Sequence, residues 1–260
     1  MIYINGKEKL DRIKLEKDNF YVVADFDKTL TDGNSFSTWE VLCKSGIADE
    51  EYSKKRKELY NQYRPIEIDT TIPEDEKMRH MEDWWKKHVH LFYEYNLKED
   101  ILKQAIKKVD LKYRKGAEEF LFKMKESNVP VVIISAGIGN IILDFLEETK
   151  TDYDNIEIVS NFIKFTEGII DTFEGKIIHS FNKNIVNVSE DIKNDRKYIL
   201  LLGDTTGDIK MVDEEKLNDT ITVGFLDENI EESLQYYNNI FDIVITKNGT
   251  YDELSEILNI

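Results

Sequence analysis

One cysteine in 260 residues, Cys43, leaves no partner for an internal disulfide and no paired thiolates for a structural zinc ion. Positive charge is also short: 35 Lys and Arg stand against 52 Asp and Glu, a formal net charge of −17, and no stretch is basic. Phosphate backbones are held by basic faces, so long nucleic acids are excluded as partners. A small anionic substrate stays compatible if a cation and one or two lysines act locally. Long apolar runs are missing as well. The opening MIYINGKEKL has no signal core, and the most apolar stretch, Val129 to Leu143, is interrupted by Ser135, Gly137, Gly139 and Asn140. Internal repeats and low-complexity segments are absent. Together these absences predict a soluble protein of a reducing, cytoplasmic setting, with no membrane attachment.

What is present is ample core material, 41% hydrophobic residues, in short buried runs. Tyr21 to Ala24, Pro130 to Ile134, Ile156 to Val159, Tyr198 to Leu202, Ile221 to Val223 and Ile240 to Ile245 read as parallel strands. Amphipathic stretches fill most gaps: Glu118 to Ser127, Ile138 to Thr149, Asp208 to Glu215, Ile230 to Tyr237 and Tyr251 to Leu258. That alternation predicts an α/β fold, a doubly wound parallel sheet with helices on both faces. From 34 to 115 the rhythm breaks into successive helical segments, read as an inserted helical cap, with 1–33 and 116–260 forming the α/β core. Thr71 and Glu74 have capping-box spacing before a long helix whose stripe is Met78, Met81, Trp85, His88 and Phe92. Phe162 to Ile178, punctuated by Gly168 and Gly175, reads as a β-hairpin.

Chemistry-bearing residues fall at the strand ends, where open α/β sheets bind ligands. Asp25-Phe26-Asp27-Lys28-Thr29 follows the first strand with two carboxylates two residues apart. Such a pair can divide labour: Asp25 attacks phosphorus to give an aspartyl-phosphate, and Asp27 protonates the leaving oxygen and then activates water. Asp27 or Thr29 would equally serve as a helix or turn cap. Ser135-Ala136-Gly137 offers a hydroxyl and backbone N–H groups to a phosphate, or is an ordinary small-residue turn. Lys183 can neutralise a transferring phosphoryl group, although a lone lysine is commonly just solvated. Asp204 and Asp208, in GDTTGD, are hard oxygen ligands suited to magnesium, or parts of a capped turn.

The order acid pair, hydroxyl, lysine, acid pair resembles the haloacid dehalogenase superfamily of phosphohydrolases. WEVLCKSG, PIEID, EDWWKKH, SAGIGN, VSNF, HSFNKN and LLGDTTGDIKM look like landmarks of its cytosolic 5′-nucleotidase III (pyrimidine 5′-nucleotidase) family. The resemblance implies a Mg²⁺-dependent hydrolase of nucleoside 5′-monophosphates, with Asp25 as nucleophile, Asp27 as acid/base, and Ser135 and Lys183 as phosphate ligands. The metal would be held by Asp25, the Asp27 main-chain carbonyl, Asp204 and Asp208. It also implies that Glu67 reads the nucleoside and that Trp39 and Trp85 sandwich the base. A pyrimidine is the expected base, but His88-Val89 stands where the family has Ser-His or Ala-His, and the cationic 7-methylguanine of one family branch is the alternative. Three rival functions share parts of this pattern. A dinucleotide-binding oxidoreductase would use Gly137-Ile138-Gly139 but lacks the third glycine. A regulatory phospho-acceptor would do better without Asp27. A phosphatase of another small metabolite fits a large aromatic cap less well.

Overall fold

The computed structural model describes the chain except residues 17, 70, 174, 186–187, 190–191 and 193–195. Seven strands form one sheet: β1 (Ile2–Ile4), β2 (Phe20–Ala24), β3 (Val131–Ile138), β4 (Ile156–Asn161), β7 (Tyr198–Gly203), β8 (Thr220–Leu226) and β9 (Ile243–Thr246). Their order is β1-β9-β8-β7-β2-β3-β4, parallel throughout except for the antiparallel β1–β9 pair. Side chains alternate across a strand, and here both sets are apolar. Val22, Ala24, Val131, Ile133, Leu200 and Leu202 join one core cluster, whereas Tyr21, Val23, Val132, Ile134, Ile199 and Leu201 join the other. Burying each such Val, Leu or Ile stabilises by about 1.5–3 kcal/mol, so the two covered faces fix the register. From β2 the chain winds outward through β3 and β4, then returns to the opposite side of β2 for β7. The carboxyl ends of β2 and β7 therefore flank the point where the winding reverses, the crevice that such folds use for ligands.

Helices α2 (Thr38–Lys44), α3 (Glu50–Ile68), α4 (Glu74–Glu94) and α5 (Glu99–Ile106) lie between β2 and β3, following the short α1 (Lys7–Arg12). Among the described residues the further α-helices are α6 (Ala117–Glu126), α7 (Gly139–Thr149), α8 (Ile230–Asn238) and α9 (Tyr251–Leu258). The inserted helices leave and rejoin the sheet through paired segments, bridged at Thr31 and Tyr113. Hairpin β5 (Ile163–Thr166) and β6 (Ile169–Phe173) packs on this helical unit. Phe173 stacks on Phe92 at 6.1 Å, and Ile170 N–H donates to the Leu97 carbonyl at 3.3 Å.

Three sequence expectations need correction. Asp208 to Glu215 is not an α-helix but two short 3₁₀ turns, Thr206–Met211 and Glu214–Asp219, with extended Val212 and Asp213 between them. The Thr71 capping box does not form; Thr71 Oγ1 instead bonds Asp69 and Pro73 precedes α4. In the α4 stripe Met78 is only half-buried, while Lys77 is buried and donates to the Glu67 carbonyl near the end of α3.

Candidate active site

Asp25 follows β2 and Asp204 and Asp208 follow β7, so hydrogen-bonded neighbours deliver all three acids to one place. One carboxylate oxygen from each lies within 4.8 Å of the others. Lys183 donates to Asp25 Oδ1 at 2.5 Å and to Asp208 Oδ1 at 2.7 Å. Asp208 divides its oxygens. Oδ2 accepts from the backbone of Asp204 and Thr205 and from the Thr205 hydroxyl, at 2.9–3.1 Å, so the turn-capping use of this acid and its place in the cluster coexist. Gly203 has no side chain because a Cβ there would meet the Asp208 Cβ at 2.5 Å.

Burial sets the electrostatics. Asp25 is pushed up to about 6, first by burial and further by Asp208, with Lys183 opposing. Asp204 is raised well above the usual carboxylate range by burial and then by the charges of Asp25 and Asp208. Burial works against the charge on Lys183, yet Asp208 and Asp25 outweigh it and raise its pKa. Crowded anionic oxygens with one bonded lysine are a donor set that fits a hard divalent cation, which would relieve this repulsion.

Asp27 sits beside this cluster with its carboxylate at the start of α2. Its Oδ1 accepts from Thr38 N–H at 2.9 Å and its Oδ2 from the Thr38 hydroxyl at 3.1 Å. Burial, then the Asp25 charge, pushes it up to about 7, with Thr38 opposing. A carboxyl group that exchanges its proton near neutrality is suited to acid and base work in turn. The turn after Asp25 is held from behind. Lys28 adopts φ +61°, a conformation costly for a side chain with a Cβ, with its N–H on Thr31 Oγ1 at 2.7 Å.

Ser135, Ala136 and Gly137 occupy the end of β3, where the pairing with β4 breaks between Ile134 and Ile138. The Ser135 hydroxyl accepts from Gly137 N–H at 3.0 Å. A Cβ at Gly137 would meet Thr38 Oγ1 at 2.2 Å, so glycine is needed where this turn passes α2. The Ala136 carbonyl, freed from strand pairing, accepts three N–H groups: Trp39 Nε1 at 2.9 Å, Trp85 Nε1 at 3.1 Å and Asn161 Nδ2 at 2.9 Å.

Comparison with known proteins follows these landmarks. The family model described as Pyrimidine 5′-nucleotidase (UMPH-1) matches residues 25–260. The chain belongs to this family. It is therefore an enzyme, a 5′-nucleotidase on a haloacid dehalogenase-type fold. It is 33% identical over 264 residues to the 7-methylguanosine phosphate-specific 5′-nucleotidase B of Xenopus laevis, covering 97% of this chain and 91% of that one. The Homo sapiens 7-methylguanosine phosphate-specific 5′-nucleotidase is 32% identical over 256 residues, 93% and 84% of the two chains. Cytosolic 5′-nucleotidase IIIB bound to cytidine superposes with a TM-score of 0.81 at 26% identity, over 99% of this chain and 92% of that one. A substrate-bound phosphoserine phosphatase shares the fold, with a TM-score of 0.61 at 20% identity over 93% and 99%.

In this member of the pyrimidine 5′-nucleotidase family the helical unit is closed onto the strand ends. Glu67, near the end of α3, accepts from the Ser180 hydroxyl at 2.6 Å and pairs with Arg64 through its other oxygen, so it touches the loop that carries Lys183. Glu74 pairs with Lys210, beside Asp208 in the chain. Trp39 and Trp85 meet at 6.0 Å with planes 79° apart. Two perpendicular indoles are not, as they stand, the parallel walls of a sandwich. His88 lies between indoles, stacked on Trp39 at 5.1 Å and 5.6 Å from Trp84. Burial, and secondarily Arg56, pulls its pKa down to about 3, so the ring is neutral.

Three residues of this site carry no signal readable from spacing. Thr38 binds Asp27 and also accepts from Ile138 N–H at 3.1 Å. Asn161 joins Ala136 to Ile178, bonding the Ile178 carbonyl at 2.8 Å and its N–H at 2.8 Å. Arg114 is wholly buried at the return of the helical insertion. It donates to the carbonyls of Lys28, Thr29 (3.2 Å) and Gly249 (3.2 Å), pairs with Asp227 at 2.8 Å and lies 4.3 Å from the centre of the Phe225 ring.

Proposed function

We propose that the protein hydrolyses nucleoside 5′-monophosphates, pyrimidine nucleotides among them, to nucleoside and phosphate in a Mg²⁺-dependent reaction. The convergence of Asp25, Asp204 and Asp208 on Lys183, with Asp27 alongside, is the observation that carries this reading. Asp25, Asp204 and Asp208 would hold the ion, which supplies charge neutralisation for the carboxylates and the phosphoryl oxygens. An Asp25 oxygen attacks phosphorus, the bond to the nucleoside 5′-oxygen breaks, and Asp27 gives that oxygen its proton. Asp27 then takes a proton from water as the water attacks the aspartyl-phosphate, releasing phosphate and restoring Asp25. Ser135, with the backbone N–H groups of 136 and 137, and Lys183 hold the phosphoryl oxygens. Glu67, the indoles of Trp39 and Trp85, and His88 face the nucleoside.

A second reading, hydrolysis of 7-methylguanosine monophosphate, is supported by the relatives bearing that substrate in their names. A neutral His88 among indoles adds no positive charge of its own against a cationic base. Among the described residues no helix is long and apolar enough to cross a membrane.

Phosphate release from CMP, UMP, AMP, GMP and 7-methylguanosine monophosphate, with and without Mg²⁺, tests both readings. Hydrolysis of none of the five would refute the function. In the same assay Glu67→Ala should raise the nucleotide KM about tenfold while p-nitrophenyl phosphate, which has no nucleoside, is spared. Equal loss on both substrates would remove Glu67 from nucleoside reading.

A further inference from the structure

The peptide that joins Ala136 to Gly137 has its two ends on opposite sides. No cis bond occurs among the described residues, so this peptide is trans, with its carbonyl and its N–H pointing in opposite directions. The carbonyl faces three donors, two of them indoles from helices of the insertion, α2 and α4. The N–H faces the Ser135 hydroxyl, on the side assigned above to phosphate. Fixing one end fixes the other.

We infer that Trp39 and Trp85 are positioning residues: their indole N–H groups orient the 136–137 peptide, so that closure of the helical cap completes the phosphate-binding turn. The inference rests on the assignment of residues 135–137 to phosphate and extends it to the cap. In the sheet interior a carbonyl at this place would be held by β4, but the pairing is interrupted between Ile134 and Ile138. Asn161 is the donor that the core itself provides; the other two arrive from the insertion. An uncharged carbonyl held by one donor can swing, and with three it is fixed in direction. Trp39 directly follows Thr38, whose hydroxyl and N–H bind Asp27 and whose oxygen also takes Ile138 N–H. One short helix thus sets the acid/base carboxylate and the phosphate turn together. Trp84 provides the contrast: its Nε1 is buried with no hydrogen-bond partner.

A role through the N–H edge and a role through the ring face differ in what phenylalanine can replace. Trp39→Phe and Trp85→Phe keep an aromatic face and remove the donor. Each should lower kcat/KM about fivefold to tenfold on a nucleotide and on p-nitrophenyl phosphate alike, and weaken inhibition by inorganic phosphate by a similar factor. Trp84→Phe should stay within about twofold of wild type, since it removes no bond. The wild-type chain offers an independent readout, because its three tryptophans give three indole N–H signals in a ¹⁵N-resolved spectrum. Inorganic phosphate with Mg²⁺ should shift the signals of Trp39 and Trp85 and slow their exchange with solvent, leaving Trp84 in place. The inference is overturned if the two phenylalanine variants keep wild-type phosphate inhibition, with or without a lowered melting temperature, or if the two indole signals ignore phosphate. A wild-type enzyme that released no phosphate from any ester would fail the proposed function instead, a result the two arms distinguish.

Discussion

Replacing Thr38 by valine preserves shape and removes one hydroxyl, which makes it a sharp test of how Asp27 is tuned. Thr38 is completely buried. Its hydroxyl proton goes to Asp27 Oδ2, while its backbone N–H, untouched by the substitution, continues to serve Oδ1. Hydrogen bonds to a charged group contribute about 1.5–3 kcal/mol, and 1.36 kcal/mol corresponds to about one pKa unit, so the lost bond raises Asp27 by about one to two units above its already elevated value. The direction follows from the bond favouring the ionised form. Under the proposed mechanism the acid step keeps its proton donor at neutral pH. The water-activating step, which needs the carboxylate, is starved. The alkaline-rising limb of the kcat profile should move up by about one to two pH units, with kcat at neutral pH down by about fivefold to fiftyfold where phosphoenzyme hydrolysis limits turnover. Acid-quench measurement of aspartyl-phosphate should find it accumulating. The variant also orphans Ile138 N–H, at a cost of about 1–3 kcal/mol, so its melting temperature should drop by several degrees. A kcat profile that superimposes on wild type, whatever the change in melting temperature, refutes the tuning argument.

Asp25→Asn should lower turnover by at least about a thousandfold with little change in melting temperature, since covalent chemistry is lost and shape is kept; retention of a tenth of the activity would remove Asp25 from that role. Excess chelator should abolish activity and Mg²⁺ should restore it, because Asp25, Asp204 and Asp208 would otherwise repel a dianionic phosphate; full activity in chelator would defeat the assignment. His88 titrates from 6.5 in the unfolded chain down to about 3 when folded, so its contribution is complete above 6.5 and is lost as pH falls through that window, at up to about 1.4 kcal/mol per pH unit. Urea titrations between pH 4.5 and 7 should therefore show a flatter pH dependence for His88→Phe than for wild type, and parallel curves would contradict a buried neutral imidazole.

Legibility in the sequence tracked the distance over which each residue acts. Parallel strands and their terminal acids could be read because the information is local: an apolar run, then aspartate or glycine. The three-residue β1 escaped notice because it is short and its partner, β9, lies at the other end of the chain. Thr38, Asn161 and Arg114 look like surface residues until partners 11 to 135 positions away are known. Asp208 was legible as an acid, but periodicity extends its helix to Glu215, whereas the backbone becomes extended at Val212 and Asp213. The stripe in α4 correctly placed Trp85 and His88 on a buried face. Periodicity carries no information on ring orientation, and the perpendicular indoles were beyond its reach.

The hairpin β5–β6 changes what counts as an exchangeable part of this enzyme. Its strands come from sequence beyond the inserted helices, yet Phe173 lies against Phe92, the Gly168 carbonyl accepts from Glu99 N–H at 3.1 Å, and Asp171 takes the Tyr93 hydroxyl at 3.2 Å. A chimera that imported a foreign helical segment between 34 and 115 would confront the host hairpin with a surface it was never fitted to. Grafting specificity from one relative to another thus requires two cuts of the gene, with residues 163–173 travelling alongside the helices.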